Sequence, residues 1–404
     1  MDLRSESPYW LMKNGFLYSY PSLDRSLSVE VVIMGGGITG ALLAYHLSEA
    51  GISCIVLDKR KIGMGSTCAS TALLQYEIDT PLTELIEYVG YEKAVRSYLL
   101  CIEAIDKIEK ITRKLKADTG FERRPSLYYA SRKKDTDDLR REYFLRRDIG
   151  IRLDFLTKQD IEAIFPFSAS SALYSADGAQ IDAYRFTHEL FQSALRNETL
   201  VFDDTTVVGL RHLKNKVILT TEQGHTVKAG KLILACGYES QGYLSKKVVN
   251  FNSSFAVVSE PFRDADLWYQ NCLIWETARP YLYLRTTSDQ RVLIGGKDEP
   301  FYNPRKRDAL TYKKAAQLTQ AFQRRFPHLT FRPDFQWAGT FAETKDGLPY
   351  IGTVPERPNT YFVMGFGGNG IVFSMIAAEI IRDLLVHKKS PDAGLFGFER
   401  IDRR

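Results

Sequence analysis

The stretch Val31–Gly51 reads VVIMGGGITGALLAYHLSEAG, and Asp58 follows at the end of the next apolar run, SCIVLD. A β-branched strand over 30–34 runs straight into a helix over 38–50 through Gly35, Gly37 and Gly40. Gly35 permits the tight turn, Gly37 lets the backbone approach a pyrophosphate, and Gly40 lets the helix lie against the strand. The helix start, with Ile38 and Thr39 in its first turn, offers free N–H groups and the positive end of its dipole to the anion. A second strand over 53–57 delivers Asp58, whose carboxylate can accept hydrogen bonds from ribose hydroxyls. Strand, helix, second strand and terminal acid are the context that a glycine triplet requires, so the segment predicts a dinucleotide site in a Rossmann-like α/β domain.

The rest of the chain bears on which dinucleotide. After Asp58 comes KRKIGMGSTCASTALLQYEID, in which Lys59 and Arg60 lead into a small-residue loop (63–71) able to wrap a second phosphate and a ribityl chain. Gly65, Ser66, Thr67, Ala69, Ser70, Leu73, Leu74 and Gln75 are its candidate cofactor contacts. Nicotinamide enzymes need no such loop. Further on, KLILACGYES reads as a buried strand ending in the small turn Ala235, Cys236, Gly237, and TYFVMGFGGNGIVFSMIAAEIIRDLL repeats strand, glycine loop and helix. There Gly367, Gly368, Asn369, Gly370 and Ile371 lead into a helix whose N-terminal dipole would favour a ring that becomes anionic on reduction.

These pieces, with IDAYRFTHEL near residue 181 and KDGLPYIG from Lys345, resemble the FAD-dependent D-amino acid oxidase superfamily. That group includes glycine oxidases, sarcosine oxidases and amine oxidoreductases of the γ-glutamylputrescine oxidase type. The resemblance spans nearly the whole chain, and its first and last motifs imply FAD threaded between the two ends of one polypeptide. It also implies that the backbone of Val207 touches the adenine, unless Val207 is an ordinary strand valine.

Composition agrees with a large soluble enzyme. At 404 residues the chain exceeds what one core usually spans, so two domains are expected. The 54 basic and 49 acidic side chains leave a net +5, too slight and scattered to indicate nucleic acid or a membrane surface. The most basic stretch, 131–148, alternates in sign and reads as a solvated helix face. Five cysteines without metal-ligand or CxxC spacing favour reduced thiols in a cytoplasmic compartment. No secretory signal, metal site or apolar run of about 20 residues is read.

The strand and helix pattern divides the chain into a FAD-binding domain over 1–88, 171–248 and 336–404, and a substrate-binding domain over 89–170 and 249–335. After Asp79 a long helical region is read over 81–117, and the segment 249–337, with alternating strands PYLYLRTT and RVLIGG, reads as antiparallel sheet over a pocket, giving an α/β fold that is α+β overall.

The chemistry implied by the resemblance is removal of a hydride from a C–N bond of an amine or amino acid, leaving an imine that water hydrolyses. Oxygen or another acceptor would then reoxidise the flavin. An FAD-dependent 2-hydroxy acid dehydrogenase and a noncatalytic FAD-binding subunit remain alternatives. Since the cofactor carries the hard step, no acid–base triad is required, and His46 and His188 read as helix-face residues. Pocket candidates are Tyr76 and Glu77 after the phosphate loop, Tyr281, Tyr283 and Arg285 at alternate positions of one strand, and Lys297 at the end of the next. Arg285, Lys297 and Tyr283 are the catalytic candidates, and Arg285 is the expected grip on an anionic or carbonyl part of the substrate. Each has a plain alternative: the tyrosines as core, Arg285 paired with Glu260 or Asp298, Lys297 with its acidic neighbours. Cys68 is expected near the flavin or as a small buried hydrophobe.

Two departures from the family matter. Where glycine oxidase-like members carry an arginine for the substrate carboxylate, the segment WAGTFAETKDG has Phe341. No cysteine follows Cys272 at the place where sarcosine oxidases bond the flavin, so FAD is expected to be noncovalent. Glu343 reads either as recognition for a cationic amine or as a loop charge. Substrate, electron acceptor and oligomeric state are not legible.

Overall fold

The computed structural model describes residues 1–5, 7–263 and 266–402. Strand Leu27–Met34 lies inside the first sheet, its last four residues buried as the Val and Ile run requires of a strand covered on both faces. It pairs in parallel with Cys54–Leu57 on one side and Thr226–Leu234 on the other. Leu200–Phe202 extends the sheet beyond Cys54–Leu57, while Thr226–Leu234 continues to the antiparallel strands Val217–Thr221 and Val207–His212. The carboxyl end of Thr226–Leu234 also pairs in parallel with Thr360–Met364, which brings a late segment to within one strand of Leu27–Met34.

Helix Ile38–Glu49 is buried on nearly every side, as its all-round apolar sequence predicts. It packs between helices Ala183–Leu195 and Gly370–Val386. A hydrogen bond of 2.8 Å between the Thr39 and Ser374 hydroxyls ties the early and late helices together near their starts.

The second sheet has eight strands in the order Pro333–Glu343, Asn250–Ser259, Val292–Glu299, Tyr283–Thr286, Leu273–Glu276, Ser126–Tyr129, Ser171–Ser175, Leu153–Thr157. All pairs are antiparallel except Leu273–Glu276 with Ser126–Tyr129. A 22-residue helix, Pro304–Arg325, covers one face, packing Leu318, Ala321 and Phe322 in one core with Phe255, Val257 and Ile294. The sequence reading of 249–337 as sheet omitted this helix, although its signals are present. Asn303 caps it through Lys306 N–H at 3.0 Å, Pro304 opens it, and its buried positions recur at helical spacing.

Two further differences are local. The helical region after Asp79 breaks at Gly90 (φ +84°) into Leu82–Val89 and Tyr91–Leu115. The charged helix Thr136–Asp148 is largely solvated, but Glu142 and Arg146 turn inward as a buried pair at 2.6 Å. Sheet membership assigns Ser171–Ser175 and Pro333–Glu343 to the second sheet, across the expected cuts at 171 and 336. We propose that the domain division follows the sheets. Among the described residues no helix is long and apolar enough to cross a membrane.

Candidate active site

A cavity of about 640 Å³ is lined at once by the glycine turn of the first sheet and by Tyr281 and Tyr283 of the second. The turn is shaped by steric necessity. Gly35 has φ +119°, and a Cβ there would lie 2.3 Å from the Ala235 carbonyl oxygen; at Gly40 it would lie 1.9 Å from that of Gly35. Gly40 therefore serves helix-to-strand contact and does not line the cavity, whereas Gly35, Gly37, Ile38 and Thr39 do. Thr67 Oγ1 accepts the Ile38 N–H at 3.0 Å, drawing the 65–71 loop against the helix start.

Asp58 lines the same space and accepts Gly36 N–H at 2.6 Å and Arg60 N–H at 2.7 Å. Burial pushes its carboxyl up while those backbone donors pull it down. Lys59 and Arg60 also line the cavity, and both are engaged by Glu239: Lys59 Nζ at 2.8 Å, Arg60 Nη1 and Nη2 at 3.0 and 3.2 Å. Burial opposes ionisation of Glu239, but these donors outweigh it and hold the carboxyl down to about 2.

Of the remaining cofactor candidates, Gly65, Ser66, Thr67, Ala69, Ser70, Leu73 and Gln75 line the cavity, while Leu74 is buried in the core. Val207 and the turn Ala235, Cys236, Gly237 line it from the first sheet and the end of its strand Thr226–Leu234, and Gly367, Gly368, Asn369, Gly370 and Ile371 from the late glycine loop and the start of its helix. Asn369 Nδ2 donates to the Glu77 and Gln75 carbonyls at 2.7 and 3.3 Å, and Gly368 N–H donates to Asp79 at 2.7 Å, so the two loops hold each other.

Four substrate candidates lie elsewhere. The Arg285 guanidinium is buried and donates to the carbonyls of Thr71, Ala72, Ile181 and Thr286 at 2.8–3.2 Å, over the ring of Trp10. It pairs with neither Glu260 nor Asp298, and burial without an acidic partner lowers it to about 10. Its strand face is the expected one, but its side chain is consumed by backbone. Lys297 is displaced by a bulge: it has φ +59°, and the pairing with Asn250–Ser259 slips between Ser253 and Phe255. Asp298, rather than Lys297, therefore lines the cavity. Tyr76 and Glu77 are buried behind the loop, where Glu77 accepts from Ser126 at 3.1 Å and Arg146 lies 5.8 Å from the Tyr76 ring.

Sequence reasoning also passed over Tyr238, Trp337 and Ser254 as lining residues; nothing in their local pattern separates them from core. Phe341, noted only as a departure, lines the cavity. A second space of about 1030 Å³ adjoins at Gly367 and is lined by Asp79, Arg279 and Glu343 among others. The Glu343 carboxylate is half-buried and accepts Asn252 Nδ2 at 2.7 Å, so it is not a free loop charge. Cys68 is buried with its thiol on the Gly65 carbonyl, and does not line the cavity. His46 and His188 are buried on their helices, and burial lowers them to about 3 and about 4.

A family model described as FAD dependent oxidoreductase, DAO, matches residues 30–384. The chain belongs to the DAO family. Among its relatives, glycine oxidase of Geobacillus kaustophilus is 25% identical over 383 residues, covering 89% of this chain and 94% of the relative. Gamma-glutamylputrescine oxidoreductase of Escherichia coli is 24% identical over 391 residues, covering 94% and 88%. The crystal structure of the Geobacillus glycine oxidase superposes with a TM-score of 0.77 at 21% identity, covering 93% of this chain and 98% of that one, which establishes the shared fold.

The family's cofactor, FAD, fits what this cavity presents. Ser66 Oγ and Gln75 Nε2 line it as buried polar atoms without a hydrogen-bond partner in the protein, and buried polar groups are ordinarily satisfied. The Asp58 oxygens, each with one backbone donor, keep further capacity to accept. This DAO-family chain is an FAD-dependent oxidoreductase.

Proposed function

We propose that this enzyme oxidises a C–N bond of a small amine or amino acid, with FAD lying noncovalently along the cavity from the Asp58 wall to the Tyr281 and Tyr283 wall. The observation that carries this reading is a single cavity shared by the nucleotide turn and the aromatic strand. When bound, the flavin would supply the acceptor for the hydride that leaves the substrate carbon. This chain's residues do the rest. The starts of helices Ile38–Glu49 and Gly370–Val386 present positive dipole ends to anionic parts of the cofactor. Tyr281, fixed by its hydroxyl on Asp79 at 2.8 Å, and Tyr283 wall the substrate side and exclude water. Water then hydrolyses the imine product, and oxygen or another acceptor takes the electrons.

Anaerobic titration with a panel of amines, N-methyl amino acids and 2-hydroxy acids tests the reading through loss of the yellow colour. Bleaching by amines and not by hydroxy acids supports it. Bleaching by hydroxy acids alone overturns it in favour of a 2-hydroxy acid dehydrogenase, and bleaching by none points to a noncatalytic FAD-binding subunit. Hydrogen peroxide released in air would mark oxygen as the acceptor.

A further inference from the structure

Charge around the aromatic wall is one-sided. Among the described residues lining the main cavity the cations are Lys59 and Arg60, and both are engaged by Glu239. On the aromatic side stands Asp298, whose Oδ1 is buried without a hydrogen-bond partner. Two more carboxylates, Asp79 and Glu343, lie close enough to push the Asp298 carboxyl up. Neither cation nearby lines this cavity: Arg279 lies in the lining of the adjoining second space, and Lys314 lines neither. Arg279 lies 4.8 Å from the Tyr281 ring centre and donates to the Asp79 carbonyl at 2.5 Å, while Lys314 is bound by Glu299 at 2.5 Å and the Lys297 carbonyl at 2.8 Å. Among the described residues no cation lines this wall of the main cavity to receive a substrate carboxylate.

Resting on the amine-oxidoreductase reading, we propose that Asp298 is the recognition carboxylate for a cationic amine lacking an α-carboxylate, which it holds against the rings of Tyr281, Tyr283 and Phe341. An unpaired buried carboxylate is costly, and an organic cation relieves that cost. Aromatic faces add cation–π attraction to the same ligand, and offer nothing comparable to an anion. Phe341 fits this assignment, since an arginine there would neutralise Asp298 and reverse the preference.

Acid–base behaviour of the same group gives the proposal a second readout. Burial, with Glu343 and Asp79, lifts Asp298 to about 7 against the opposing influence of Ser254 and Lys314. The charged and titratable groups facing it are thus Asp79, Glu343, Lys314, Tyr281 and Tyr283, with Arg279 beyond Tyr281. A permanently charged ligand should therefore bind more tightly as pH rises through neutrality and Asp298 ionises.

The experiment titrates the FAD-loaded enzyme with n-butyltrimethylammonium or with valerate, following the flavin spectrum and heat of binding between about pH 6 and 8.5. The ammonium probe should bind, more tightly at the alkaline end, and valerate should not. Asp298→Asn should weaken the ammonium probe about tenfold or more and flatten its pH profile, with FAD content unchanged and the melting temperature of the ligand-free enzyme not lowered. Phe341→Arg should reverse the preference in favour of valerate, which keeps the assignment testable should Asp298→Asn fold poorly. Preferential binding of valerate by the unaltered enzyme, or equal ammonium binding by Asp298→Asn, overturns the proposal. Amine-dependent bleaching that survives either result would leave the reaction class standing, whereas ammonium binding without any bleaching by amines would sink the reaction class alone.

Discussion

Truncating Arg285 to Ala removes a donor from four carbonyl oxygens; that of Ala72 keeps the Ile181 N–H at 3.3 Å, while those of Thr71, Ile181 and Thr286 lose the guanidinium. Unsatisfied buried acceptors cost about 1–3 kcal/mol each, so a loss of about 3 kcal/mol or more is expected, seen as a lower melting temperature together with a lower FAD content. Arg285→Lys should fall between, because one ammonium reaches fewer of those oxygens than a guanidinium fork. Normal melting with slowed flavin reduction would instead return Arg285 to the substrate side. If Asp58 accepts from the ribose as we propose, Asp58→Ala is expected to weaken FAD binding by about 1.5–3 kcal/mol, measured by fluorescence titration of the stripped protein. Glu239 sets a pH dependence. Its folded value, about 2, lies below the ordinary 4.5, so its contribution is complete above about pH 4.5 and is lost as pH falls toward 2. Because its partners Lys59 and Arg60 are partly exposed and screened by solvent, the contribution is modest, and Glu239→Gln should show a shallower loss of stability in that acid window. Asp58 was legible from its place after a strand. The fate of Arg285 was not, because alternation along a strand assigns a face but says nothing about which carbonyls a long side chain reaches.

At the scale of elements, helix Ile38–Glu49 meets the first strand through Gly40, where a methyl group would overlap the Gly35 carbonyl. Gly40→Ala should therefore destabilise by about 1–3 kcal/mol or more despite the better helix propensity of alanine, and chemical denaturation with and without FAD would measure it. A variant as stable as the parent would mean that the helix can shift away at little cost. Strand, turn and helix from 31 to 51 were readable because backbone sterics and burial act there on consecutive residues. The bulge at Lys297 was passed over because the alternation was carried straight through Gly295 and Gly296, although a glycine pair inside a strand is the local mark of a bulge and Gly296 shares the positive φ (+125°) of Lys297. Helix Pro304–Arg325 is a similar case: its cap and spacing are written in the sequence, but the flanking β alternation led to it being read as sheet.

For the whole molecule, FAD touching walls drawn from both sheets should act as a cross-brace. Ligand present at about 100 times its dissociation constant should raise stability by about 2.7 kcal/mol, visible as a melting temperature that climbs with added FAD. Acid or heat should then release the flavin intact, and flavin that stays with the precipitated chain would overturn the noncovalent assignment. The order in which the walls occur along the chain has a biosynthetic consequence. Gly37 of the phosphate turn is made early, but Gly367 to Ile371, which complete the same cavity, come 330 residues later. At roughly 5–20 residues per second, a ribosome takes about 20 to 70 seconds to add that interval. Until then the nascent chain carries the glycine turn of a cavity that lacks its late wall, so cofactor capture is expected in the final moments of synthesis or in the released polypeptide.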